Sequence, residues 1–137
     1  MNITSLGLIL AGPCSAESRE QLFEVARALQ ADGRVAYLRA GVWKPRTRPG
    51  QFEGMGEVAL SWLADVQQET GMRVCIEVAR AEHVSLAHRY GIRSFWLGAR
   101  TTSDPFAVQE VADSLDEGDG PFFVKNPISP DIDLWMG

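Results

Sequence analysis

Short apolar runs alternate along the chain with longer stretches of helical period. The first run covers residues 6–11, and Ser15-Ala16-Glu17-Ser18 then supplies the chemistry of a helix start. Leu22, Val25, Ala26 and Leu29 recur at helical spacing until Asp32-Gly33 ends the pattern. A second run at 35–38 leads into a loop rich in Gly, Pro and Arg, from Gly41 to Gly54. Val58, Leu60, Leu63 and Val66 predict a helix over about 56–70, closed by Gly71. The third run is 73–78, followed by a predicted helix over 82–90 that stops at Gly91. The fourth run is 94–97; Asp104-Pro105 then opens a helix carrying Phe106, Val108, Val111, Ala112 and Leu115. The fifth run, 122–124, is followed by residues 126–137, and the expectation is that the chain stops where a fifth helix should begin.

No proline interrupts any run, and strands alternate with helices of ordinary length. That is the pattern of βαβ units on a parallel sheet, an α/β fold of five strands and four helices. With 137 residues, 45% hydrophobic and 23% charged, the chain reads as one domain spanning 1–137 rather than a disordered or fibrous segment. No apolar run approaches the ~20 residues of a membrane span, and the start has no basic region of a signal peptide. A net charge of −5 without a basic tract argues against nucleic acid as a partner, and two cysteines make no disulfide framework. The expected compartment is the cytosol.

Both faces of a parallel sheet are covered, so charge inside a strand is costly. Yet each run carries a reactive or charged group at its carboxyl end: Cys14, Arg39, Arg100 and Lys125 follow theirs, Glu77 lies late in the third, and Lys44 and Arg46 lie in the loop after the second. On one reading, polarity returns wherever a strand ends. On the other, these groups share the mouth where α/β proteins bind ligands. Such a mouth in an acidic chain suits a substrate with several phosphate or carboxylate groups. A lone Glu there can orient the cations or trade protons, and a thiolate can bind a metal.

The strings Ala11-Gly12-Pro13-Cys14-Ser15-Ala16-Glu17, Arg39-Ala40-Gly41-Val42-Trp43-Lys44-Pro45-Arg46-Thr47, Gly98-Ala99-Arg100-Thr101-Thr102 and Val124-Lys125-Asn126-Pro127 resemble 3-deoxy-arabino-heptulosonate 7-phosphate (DAHP) synthase. The likeness is strongest to the short type I form fused to chorismate mutase in some bacteria. It implies a (β/α)8 barrel that condenses phosphoenolpyruvate with erythrose 4-phosphate, using a divalent metal (Mn, Fe, Co or Zn), as the first step of the shikimate pathway. By the resemblance, Cys14 matches a metal ligand, and Arg39, Lys44 and Lys125 match cations around the phosphoenolpyruvate carboxylate. Arg100 and the Ala99 backbone match its phosphate site, Arg46 and Thr47 match contacts to the aldose phosphate, and Glu77 matches an acid of the pocket. Lys44 and Glu77 are the expected catalytic pair. A homo-oligomer is expected of the longer protein, and a fused chorismate mutase domain is left open.

An eight-unit barrel takes about 250 residues, so only its first five strands fit here. The remaining ligands of the family, a His, a Glu and an Asp, come from later strands. The expectation is therefore an amino-terminal half with little or no activity alone. The alternatives are a non-catalytic half-barrel and a phosphoenolpyruvate-binding remnant. The related 3-deoxy-octulosonate 8-phosphate synthase is disfavoured by Lys44-Pro45-Arg46-Thr47.

Other candidates carry plainer expectations. Cys75 is read as a small core hydrophobe. His83 and His88 are placed on a solvated helix face away from the strand mouths. Trp43 is expected to cover the substrate loop, and Trp62, Trp96 and Trp135 to be core or interface aromatics. Glu17, Asp104 and Glu110 are read as helix caps or first-turn acids.

Overall fold

The computed structural model describes residues 7–137; the first-run residue Leu6 lies outside them. Five strands, β1 (Leu10–Ala11), β2 (Tyr37–Ala40), β3 (Arg73–Val78), β4 (Ser94–Leu97) and β5 (Phe122–Val124), pair in the order 1-2-3-4-5, every pair parallel. Between them run α1 (Arg19–Asp32), α2 (Glu57–Thr70), α3 (Ala81–Arg89), the short α4 (Ala99–Thr102) and α5 (Pro105–Asp113), and α6 (Ile132–Met136) follows β5.

Sequential order without a reversal puts every crossover helix on one face of the sheet, the winding of a βα barrel rather than of a doubly wound sheet. The packing agrees. Leu38, Ala40, Val74, Ile76, Val78, Phe95 and Leu97 point outward into the main core, against Leu22, Leu60, Leu63, Val66, Val84 and Val111 of the helices. The residues of opposite parity, Tyr37, Cys75 and Trp96, form a second, inner cluster with Leu10 and Phe123. The period of two thus divides each strand between helix layer and barrel interior.

Several boundaries follow from identifiable chemistry. Ser18 caps α1 by accepting from the Gln21 N–H at 3.1 Å, and Gly33 ends it at φ 73°, a conformation that favours glycine. Asp104 caps α5 through the N–H groups of Phe106 and Ala107, with Pro105 at the first position.

Four expectations need correction. The ladder of β2 runs to Ala40, so Arg39 lies inside the strand rather than after it. β1 begins at Leu10, leaving Leu8 exposed. Helices number six among the described residues rather than four, because α4 winds directly from the end of β4 and α6 begins within 126–137. Glu110 is no first-turn acid: it sits late in α5 and accepts a hydrogen bond from the Ala81 N–H at the start of α3. Trp62 and Trp96 pack in the two clusters, whereas Trp135 is exposed on α6.

Candidate functional site

The carboxyl ends of the strands carry the polar groups. Gly12 and Gly41 allow the turns after β1 and β2 to approach: a Cβ on Gly12 would strike the Arg39 carbonyl, and one on Gly41 the Cys14 carbonyl. Across that contact, the Lys44 ammonium donates to the Cys14 carbonyl at 2.7 Å and reaches its sulfur at 3.1 Å. Lys44 holds the exposed Cys14 thiol below its ordinary range, with help from Arg39 against desolvation.

Arg39 points into the barrel interior. Its guanidinium lies 4.3 Å from the centroid of the Trp96 ring and donates to the Pro13 carbonyl at 3.0 Å. Glu77, on the same interior face, rests its carboxylate against Gly98, where a Cβ would collide with it. Burial among Tyr37 and Trp96 pushes the Cys75 thiol up to about 11, so it packs as the inert hydrophobe the sequence suggests. Lys125 is exposed, and its backbone N–H continues the ladder to Leu97 O at 3.2 Å.

The loop after β2 and the turn into α4 meet through Arg100, whose Nε donates to the Thr47 hydroxyl at 3.0 Å. Arg46 is held inside its own loop by a 2.8 Å bond to the Phe52 carbonyl. Two adjoining clefts open here. One, of about 450 Å3, is lined by Trp43, Lys44, Arg46, Glu53, Arg80 and His83. The other, of about 380 Å3, takes in Arg46, Arg80, Arg100, Thr101 and Asp104. The clefts therefore gather Lys44, Arg46 and Arg100, while Arg39 and Glu77 sit in the interior and Lys125 on the open side beside β5.

The model of the DAHP synthetase I family matches residues 5–117. The chain belongs to this family. A curated phospho-2-dehydro-3-deoxyheptonate aldolase from Thermotoga maritima is 48% identical over 69 residues, covering 50% of this chain and 20% of that protein. A 2-dehydro-3-deoxyphosphooctonate aldolase from Azoarcus sp. is 34% identical over 82 residues, 56% of this chain and 29% of that protein. The crystal structure of the Thermotoga maritima DAHP synthase superposes with a TM-score of 0.78 at 30% identity, covering 94% of this chain and 35% of that one. A truncated form of the Thermotoga maritima synthase gives 0.74 at 29% identity, over 94% of this chain and 44% of that one. The chain thus spans between 20% and 44% of the length of these relatives.

Members of the DAHP synthetase I family are typically metal-dependent, and the donor set can be tested against that. Cys14 supplies a thiol biased toward thiolate. Among the described residues the one cluster of three donors is instead His88, Asp116 and Asp119, and it does not include Cys14. That cluster lies at the amino-terminal end of the strands, between the end of α3 and the loop before β5. Its carboxylates already face a guanidinium: Arg93 is 3.1 Å from Asp116 and 3.4 Å from Asp119. It is an ion-pair network rather than the mouth's metal centre. One thiol is too few donors for a divalent ion, so the described residues do not make a complete metal site at the mouth.

The two histidines depart from expectation in different ways. His88 is no solvated residue: its side chain is 16% exposed and lies 2.9 Å from both oxygens of Asp119. His83 is not away from the mouth but lines the larger cleft, stacked on Trp43. Glu53, Arg80 and His83 line the larger cleft and were missed in the sequence reading. The available signal was position along α3: its first turn follows the carboxyl end of β3, so His83 shares the mouth, whereas His88, one turn and a half later, faces the other end.

Proposed function

We propose that this chain is the substrate-binding, amino-terminal half of a DAHP synthase domain. The completed barrel would condense phosphoenolpyruvate with erythrose 4-phosphate. A carbon–carbon bond forms between the methylene carbon of phosphoenolpyruvate and the aldehyde carbon, water adds to the carbon that bears the enol phosphate, and phosphate leaves from it. The observation that supports this most is the placement of Lys44, Arg46 and Arg100 around two adjoining clefts at the carboxyl end of a singly wound parallel sheet, with Thr47 bonded to Arg100. Two anionic substrates that must react with each other need two neighbouring cationic sites, and adjoining clefts that share Arg46 and Arg80 are suited to hold them.

In this reading Arg39, Lys44 and Lys125 neutralise the phosphoenolpyruvate carboxylate, and Arg100 with the Ala99 backbone holds its phosphate. Arg46 and Thr47 take the aldose phosphate. Lys44 and Glu77 move or hold protons at the reacting atoms, and Cys14 offers a thiolate to the divalent ion. The Lys44-Pro45-Arg46-Thr47 string favours the four-carbon aldose over the reaction of a 3-deoxy-octulosonate 8-phosphate synthase. The site is cytoplasmic, and homo-oligomerisation belongs to the longer protein.

Among the described residues the five strands leave two edges, at β1 and β5, that a closed barrel would join, and in this reading the chain alone binds without turning over. Fusing residues 1–137 to the later strands of the Thermotoga maritima aldolase tests both parts. DAHP should form with the folded fusion and not with the chain alone. A cooperatively melting fusion without product would refute the substrate assignment. Product from the chain alone, lost in Cys14→Ala, would refute its incompleteness.

A further inference from the structure

The loop that carries Lys44, Arg46 and Thr47 is tied to itself by Lys44 N–H to Glu53 O at 2.7 Å and by Arg46 to Phe52 O. From Trp43 onward, its hydrogen bonds to other elements among the described residues are side-chain bonds of exposed groups: Lys44 to Cys14, and Arg100 to Thr47. One contact is of another kind. The Trp43 and His83 rings stack with centroids 4.0 Å apart and planes 2° from parallel. His83 is half-buried, and its Nδ1 accepts the Ala79 N–H at 3.1 Å. A ring nitrogen that accepts carries no proton, so the neutral imidazole is fixed as the Nε2–H tautomer and its plane is set by the turn that ends β3. The first turn of α3 thereby holds a flat, rigid platform against the residue immediately before Lys44.

We infer that His83 is a positioning residue for the substrate cations: its ring clamps Trp43 and so places Lys44 beside Cys14 and Arg46 at the shared wall of the clefts. The inference takes the purpose of the loop from the proposed function, but the clamp can be measured without any substrate. Burial works in the same direction by keeping the ring uncharged, with Arg80 reinforcing it and Glu82 and Glu110 opposing.

The test uses two readouts on the 137-residue chain. Trypsin has one susceptible bond in this loop, Arg46–Thr47, because Pro45 and Pro49 protect Lys44 and Arg48. The pH dependence of Cys14 alkylation reports whether Lys44 is in place. His83→Ala should speed loop cleavage about three- to tenfold, the range the energy of an aromatic pair implies, and raise the Cys14 pKa. His83→Phe keeps a stacking ring and should restore both readouts; His83→Gln keeps a hydrogen-bonding group without a ring and should not. Unchanged cleavage in a natively folded His83→Ala chain would overturn the clamp, as would rescue by Gln equal to that by Phe. If His83→Ala does not melt cooperatively, Trp43→Leu decides from the other side of the stack. Faster cleavage supports the clamp, and a loop as resistant as wild type overturns it. Loss of phosphoenolpyruvate binding with an intact loop would instead count against the functional reading alone.

Discussion

The Lys44 ammonium lies 3.1 Å from the Cys14 sulfur, across the turns that follow β2 and β1. An ammonium at that distance stabilises the thiolate over the thiol, so Cys14 titrates below its ordinary range, while burial drives Cys75 up to about 11. Native alkylation at neutral pH should therefore label Cys14 alone, and denaturation should expose the second thiol. Lys44→Met should move the alkylation midpoint upward. An unshifted midpoint would show that the pair does not persist in solution.

Gly98 has an ordinary φ of −74°, so alanine is conformationally acceptable there and its only obstacle is the Glu77 carboxylate. Gly98→Ala should cost about 1 kcal/mol, because the obstructing group is the movable end of a side chain. That cost should vanish in a Glu77→Ala background, which a double-mutant cycle in denaturant reads directly. Additive effects would place the carboxylate elsewhere.

His83 gives the chain a pH dependence of defined sign. Its ring falls from an ordinary 6.5 to about 4 in the folded state, chiefly by burial. Between those values the unfolded chain binds the proton and the native chain does not. This contribution to stability is therefore complete above pH 6.5 and lost as the pH falls toward 4. In His83→Phe the decline of denaturation midpoint between pH 7 and 4.5 should be shallower than in wild type. Parallel declines would contradict the burial of a neutral imidazole.

At the opposite end of the strands, Asp119 has a side chain only 4% exposed, bridged by His88 and Arg93. Removing one partner leaves a buried carboxylate short of a donor. His88→Ala should thus destabilise by about 1–3 kcal/mol without altering Cys14 alkylation. A neutral substitution would mean that Arg93 and the Asp116 N–H satisfy Asp119 unaided.

How much of this was visible in the sequence depended on which face a residue occupies. The runs at 73–78, 94–97 and 122–124 match β3, β4 and β5 because apolar residues continue across both faces. The second run was placed two residues early because Arg39 resembles a strand end. In a barrel strand the inner face tolerates a cation that rests on Trp96 and a carbonyl, and the ladder passes through it. Cys14, Arg39, Lys44, Glu77 and Arg100 were legible as strand-end chemistry, yet not how they divide between clefts and interior. That division depends on side-chain parity and on loop closures such as Arg100 to Thr47, made across 53 positions of sequence. His83 was misplaced because helical period identifies only a face of α3; the end of the sheet follows instead from chain order, which puts the first turn of α3 just past the carboxyl end of β3.

The strand ends are proposed to form a binding mouth for phosphoenolpyruvate. Isothermal calorimetry with millimolar phosphoenolpyruvate, against inorganic phosphate at the same concentration, tests it most directly. The predicted result is a saturating heat larger than that of phosphate, strongly reduced in Arg100→Ala and in Lys125→Met, whose exposed side chains leave the fold intact. No heat from a cooperatively melting chain, or an undiminished heat in both variants, would contradict it.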